Sequence, residues 1–198
     1  MQARSLVILC AVALLAFIGV TAAMVMKSMA PARPPMHGAM RDFKLSNPPM
    51  PVPAGAFVDA EGQPHDLGLF KGKITLIQFW TKWCEVAPCD TQLKSLDRLK
   101  RARDGANFQV VAISENQGGD IPIVDYYKKQ EITSLPHFAD SEQVFSRQLK
   151  FDHFPTTILL GADGKELARY DGKPVDWDAG DVLNFLDFYI APPKPAGG

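Results

Sequence analysis

Cysteine is scarce in this chain: it occurs three times, as Cys10, Cys84 and Cys89. Cys10 sits inside an apolar run, where a lipid-facing, inert side chain is expected, so beyond that run only one pair of thiols can form. An excess of basic charge is missing as well. Lys and Arg total 21 against 22 Asp and Glu, a formal net charge of -1. That balance offers no field to hold nucleic acid, and no polybasic block marks a lipid-surface binder. Apolar material is not missing. Hydrophobic residues make up 46% of the chain, enough for a core, which argues against global disorder. The 198 residues leave room for a membrane segment and one domain of ordinary size.

The longest apolar run, Leu6 to Met26, follows Arg4 and is about as long as a helix needs to cross a bilayer. Two readings compete for it. A signal anchor would leave a single-span protein with its domain outside the cytoplasm. A cleavable signal peptide would use Val20-Thr21-Ala22 as its small-residue site and release the domain. The run continues past that site, which favours the anchor. The expected layout is a cytoplasmic stub over 1–4, a transmembrane signal anchor over 5–26 and a Pro/Met-rich tether over 27–53. A folded domain over 54–191 and an unstructured tail over 192–198 follow. Seven prolines from Pro31 to Pro53 suggest that the tether is extended and stiff. Met26, Met29, Met36, His37 and Met40 are ligand types that suit copper, although a linker with incidental methionines explains them more simply.

Within the domain, Ala56 to Gln63 reads as a strand and glycine turn, followed by a return. A buried strand at Ile74–Phe79 leads into a helix at Pro88–Arg103, and a second buried strand follows at Phe108–Ile113. Helices are expected at Ile121–Gln130, with Pro122 in the first turn, and at Ser141–Leu149. Thr156–Leu160 and Glu166–Tyr170 form a hairpin about Asp163-Gly164, and an amphipathic helix closes the domain at Asp178–Ile190. Strands alternating with helices, then a hairpin and a helix, predict a three-layer α/β sandwich.

The chemistry concentrates in Phe79-Trp80-Thr81-Lys82-Trp83-Cys84-Glu85-Val86-Ala87-Pro88-Cys89, a strand-to-helix turn. A thiolate there faces free N–H groups and the positive end of the helix dipole, which lower its pKa. In an exported domain a structural bond is the plain alternative, but a bond closing so short a loop constrains the unfolded chain only modestly. Position at the turn beside tryptophan favours a redox-active Cys84–Cys89 disulfide, with no other cofactor.

These residues, with Gly72-Lys73, Phe154-Pro155-Thr156-Thr157 and Asp163-Gly164-Lys165, carry a resemblance. From about Phe57 to Ile190 the chain resembles the TlpA group of membrane-anchored thioredoxin-like proteins of the bacterial envelope. That group includes the cytochrome c maturation thioredoxins. The resemblance implies a thioredoxin fold with a mixed sheet, helices on both faces and an N-terminal hairpin extension. It also implies a cis peptide before Pro155. The activity implied is dithiol–disulfide exchange with exported proteins, in the reducing direction and fed by a membrane electron donor. The location implied is the bacterial inner membrane, single-pass, with the domain facing the periplasm; a soluble periplasmic form is the alternative. Cys84 is expected to attack, Cys89 to resolve and Pro155 to shape the partner's groove, with Trp80, Trp83, Glu85, Pro88, Phe154 and Thr156 in support.

Three departures mark this chain. Four residues, Glu85 to Pro88, separate the cysteines where the family usually has two. Gln78 and Gln92 stand where related proteins often carry proton-handling carboxylates. Glu85 could take that work, or be a solvated loop residue, and its charge would raise the Cys84 pKa. Two alternatives stay open. One is a copper chaperone resembling the Sco proteins, binding metal through Cys84, Cys89 and His153 or His137. The other is a redox-silent adaptor of the same fold.

Overall fold

The computed structural model describes residues 33–83, 89–116, 123–172 and 175–191. The expected stub and anchor, the Cys84-to-Pro88 loop and the tail lie outside these residues. The chain divides into two units, Met1–Pro34 and Pro35–Gly198, and every strand of the sheet belongs to the second. Among the described residues no helix is long and apolar enough to cross a membrane.

Among the described residues eight strands form one sheet: β1 (Lys44–Met50), β2 (Ala56–Val58), β3 (Pro64–Asp66), β4 (Ile74–Trp80), β5 (Phe108–Ser114), β6 (Phe138–Ala139), β7 (Thr156–Leu160) and β8 (Glu166–Asp171). Their order is β1-β8-β7-β4-β5-β6-β2-β3. β4 pairs with β5 in parallel and with β7 in antiparallel fashion, so the sheet is mixed. Among the described residues four α-helices accompany it: α1 (Cys89–Arg103), α2 (Ile123–Lys129), α3 (Val144–Leu149) and α4 (Gly180–Ile190).

Alternation along β4 divides the core. Leu76 and Trp80 pack with Leu93, Leu96 and Leu99 of α1 and Val182, Phe185 and Leu186 of α4. Ile77 and Phe79 face the opposite layer, with Phe145 of α3, Phe57 and Phe70. Because both faces are covered, β4 and β5 read in sequence as nearly continuous apolar runs. The expected sandwich with helices on both faces is therefore present. Asp97, buried on α1, accepts the N–H groups of Thr133 at 3.2 Å, Ser134 at 2.6 Å and Leu135 at 3.1 Å, tying the helix to the loop before β6.

The tether expectation needs correction over its described part. Residues 38–42 form a 3-10 turn that places Met40 and Phe43 in the core. Phe43 lies 4.9 Å from Tyr170 and 4.8 Å from Phe185, centroid to centroid. Lys44 and Leu45 pair with Arg169 and Ala168 as an edge strand, and the register then shifts before Met50. Pro48 and Pro49 fall in that irregular stretch, where missing N–H groups are tolerated at a sheet edge. The proline content marked an edge strand, and ordered structure starts well before residue 54. Met40 serves as core filler and is not available to a metal at the surface.

α3 starts later than expected. Gln143 takes a left-handed backbone conformation at φ 55, and the Asp140 carboxylate accepts the Phe145 N–H at 2.9 Å. Residues 141–143 are thereby held outside the helix.

Candidate active site

The carboxyl ends of β4 and β5 and the start of β7 meet at one end of the sheet. β4 ends at Trp80, and the chain turns through Lys82 and Trp83 toward the first residue of α1, Cys89. The Lys82 N–H donates to Asn116 Oδ1 at 3.0 Å, which ties this turn to the segment after β5. Trp83 is 75% exposed, with the Lys82 ammonium 4.7 Å from its ring centre. An indole held out into water immediately before Cys84 is apolar surface offered to something outside the chain.

The loop before β7 is fastened at both ends. Phe154–Pro155 is a cis peptide, as the resemblance implied. The Thr156 hydroxyl donates to the His153 carbonyl at 2.6 Å, and the Pro155 carbonyl accepts the Gly172 N–H at 2.8 Å. Phe154 and Trp83, from loops far apart in sequence, line one open cavity of about 280 Å³ together with Thr81, Lys82, Glu115, Asn116 and Gln143.

The structure separates other expected members from this cavity. Trp80 is fully buried in the α1 layer and stacks on Tyr126 and Tyr127 at 5.0 and 6.0 Å. His153 is exposed, with a Cβ that closely approaches Gly172, and His137 packs edge-on against Tyr127 at 5.3 Å. Cys84, Glu85 and Pro88 lie outside the described residues. Among the described residues no group of three or more His, Cys, Asp or Glu is gathered to hold a metal. Gln78 and Gln92 are both buried, and Gln78 Nε2 donates to Gln92 Oε1 at 3.1 Å. The amide pair bridges β4 and α1 without a titrating group.

Glu115 is a cavity residue that sequence reasoning missed. It is fully buried, and loss of hydration pushes its carboxyl up to about 7. A signal was present: Val111, Ile113 and Glu115 continue one period-two face beyond β5, so a carboxyl stands in an apolar register.

Comparison with known proteins agrees with this geometry. The family model described as Redoxin matches residues 47–184. The thiol-disulfide oxidoreductase ResA of Bacillus thuringiensis subsp. konkukian is 24% identical over 122 residues, covering 62% of this chain and 68% of that protein. The sporulation thiol-disulfide oxidoreductase A of Bacillus subtilis is 25% identical over 97 residues, covering 48% of this chain and 57% of the other. A putative thiol:disulfide interchange protein DsbE from Chlorobium tepidum superposes with a TM-score of 0.55 at 21% identity, covering 70% of this chain and 94% of that one. A putative thioredoxin from Neisseria meningitidis gives a TM-score of 0.56 at 25% identity, with coverages of 70% and 88%. The fold is thioredoxin-like, and the resemblance to the TlpA group holds at the level of family and fold.

Proposed function

The chain belongs to the redoxin family, and from that premise we propose that this thiol–disulfide oxidoreductase works on exported proteins through Cys84 and Cys89. The observation that carries the reading is the meeting of Trp83, the neighbour of Cys84, with Phe154, the neighbour of cis Pro155, around one open cavity. A substrate held there contacts the exposed indole on one side and the proline loop on the other. Pro155 has no N–H, and its carbonyl is engaged by Gly172, so the loop presents a fixed surface to a partner strand.

In the reducing direction, the Cys84 thiolate attacks one sulfur of a substrate disulfide. The substrate S–S bond breaks and a mixed disulfide forms. Cys89, which opens α1, then attacks the Cys84 sulfur. One substrate sulfur leaves as the mixed disulfide forms, and the other leaves as that bond breaks and the Cys84–Cys89 disulfide closes; both are protonated to thiols, and the two electrons lost by the protein reside in the substrate's dithiol. A membrane electron donor restores the Cys84 and Cys89 thiols. In this reading the domain faces the periplasm behind an N-terminal anchor.

Trapping tests the assignment. Cys89→Ser should accumulate mixed disulfides with envelope proteins, because the resolving attack is gone, while Cys84→Ser should accumulate none. Equal trapping by both variants, or by neither, would overturn the roles.

A further inference from the structure

The proline loop also borders a second cavity, an open groove of about 700 Å³ between β1, β8 and the segment after α3. Asp152, which precedes His153-Phe154-Pro155, lines one end together with Asp171, whose register partner on β7 is Thr156. The other end reaches Met50, opposite Glu166. An extended strand covers about 17 Å from Glu166 to Asp171, which leaves room for about five residues of a partner chain lying along it.

The β1 side of the groove is apolar and poorly suited to taking on another strand. Leu45 and Met50 are exposed there, and Pro48, Pro49 and Pro51 have no N–H to donate. A partner is therefore held by its side chains, and edge-to-edge pairing with a second copy is disfavoured. Most charges lining the groove are matched within the chain. Arg169 holds the buried Glu166 carboxylate at 3.1 and 2.6 Å, and its remaining nitrogen donates to the Leu149 carbonyl at 2.6 Å. Lys44 pairs with Asp171, and Asp152 acts on the same ammonium. Among the described residues no ion pair or hydrogen bond reaches the Lys150 ammonium. Lys150 also holds a left-handed backbone at φ 53 as the cap of α3, a position where glycine or asparagine is the unstrained choice. A lysine kept there against strain, with no counter-charge of its own, marks a contact made outside the chain.

We propose that this groove docks the exported polypeptide whose disulfide is exchanged. A segment near the exchanging cysteine lies extended along β8, with apolar side chains on Leu45 and Met50 and a carboxylate on Lys150. The inference rests on the reading of this protein as an oxidoreductase of exported polypeptides. Asp152 in the groove and Phe154 in the Trp83 cavity are two residues apart, so one chain can occupy both places. Docking then raises the local concentration of the disulfide at the proline loop. Lys150 favours acidic segments over basic ones.

The test uses two short, fluorescently labelled, cysteine-free peptides, alike in their leucines and valines and differing by a central aspartate or lysine. Each is titrated with the full-length protein and followed by anisotropy. The aspartate peptide should bind more tightly by about threefold or more, and the gap should narrow at high salt. Lys150→Glu should reverse the order, and Met50→Ser should weaken both peptides alike. Both side chains are exposed, so urea midpoints should match wild type. An order unchanged by Lys150→Glu, or no saturable binding of either peptide, would overturn the proposal. A wild-type dimer that Lys150→Glu dissociates in sedimentation would also overturn it, because a second copy would then be the occupant. Neither peptide carries a disulfide, so docking and exchange fail separately. Reversal in a protein that exchanges no disulfide would defeat the exchange reading and keep the groove as a site for acidic segments. Exchange without reversal would do the opposite.

Discussion

At the scale of single residues, Glu115 shows a local cost kept by the fold. Its folded carboxyl titrates near 7 against an ordinary 4.5, because burial penalises the anion. Below 4.5 both the folded and unfolded chains carry the proton, and the residue is neutral to stability. As pH rises from 4.5 to 7 the unfolded chain releases the proton first, so stability falls, and above 7 the deficit stays constant. At 1.36 kcal/mol per unit the full deficit is about 3 kcal/mol. Glu115→Gln should therefore match wild type in acid and exceed it by up to that amount above neutral pH. Urea midpoints on both sides of the window decide the matter, and a constant gap would mean that the buried carboxyl does not titrate there.

At the scale of elements, the segment before residue 54 is the informative one. Phe43 is 4% exposed and packs against Tyr170, Phe185 and, edge-on at 6.3 Å, Trp177. Replacing such an aromatic by alanine costs about 3–5 kcal/mol in a core and nothing in a free tether. Phe43→Ala should lower the denaturant midpoint accordingly, and an unchanged midpoint would return the segment to the role of linker. The same segment shows what sequence could and could not tell. β4, β5 and β7 were legible because burial on both faces forces apolar runs, and the Asp163-Gly164 turn marked the β7–β8 hairpin. β1 was not legible, because Lys-Leu-Ser-Asn-Pro-Pro-Met buries almost nothing and pairs through its backbone. β6, two residues long, is defined only by its neighbours, Ile113 pairing with Phe138 and Val58 with Ala139. In the site, Trp83, Phe154 and Pro155 could be found from motif. Glu115 required knowing that the β5 face stays buried past its last strand residue.

At the scale of the whole molecule, the edge strand and the candidate site are joined through β8. Lys44 pairs with Asp171 at 2.7 Å, and Asp171 Oδ1 accepts the Thr156 hydroxyl at 3.4 Å. The next residue, Gly172, holds the Pro155 carbonyl. The exposed ion pair alone adds little, since such pairs are worth about 0–1 kcal/mol. The pairing of β1 with β8 and the burial of Met40 and Phe43 hold that end of the sheet in register. A fragment of residues 35–198 keeps this arrangement entire, and one of residues 54–198 removes β1 and both core side chains. The longer fragment should unfold cooperatively with the urea midpoint of the full chain. The shorter should lose at least the roughly 3 kcal/mol expected from Phe43. With β8 unsupported, it should also form mixed disulfides more slowly when both fragments carry Cys89→Ser. Equal midpoints would show that β1 is ornamental to the domain. Equal trapping rates with unequal midpoints would show instead that β1 stabilises the fold without reaching the proline loop.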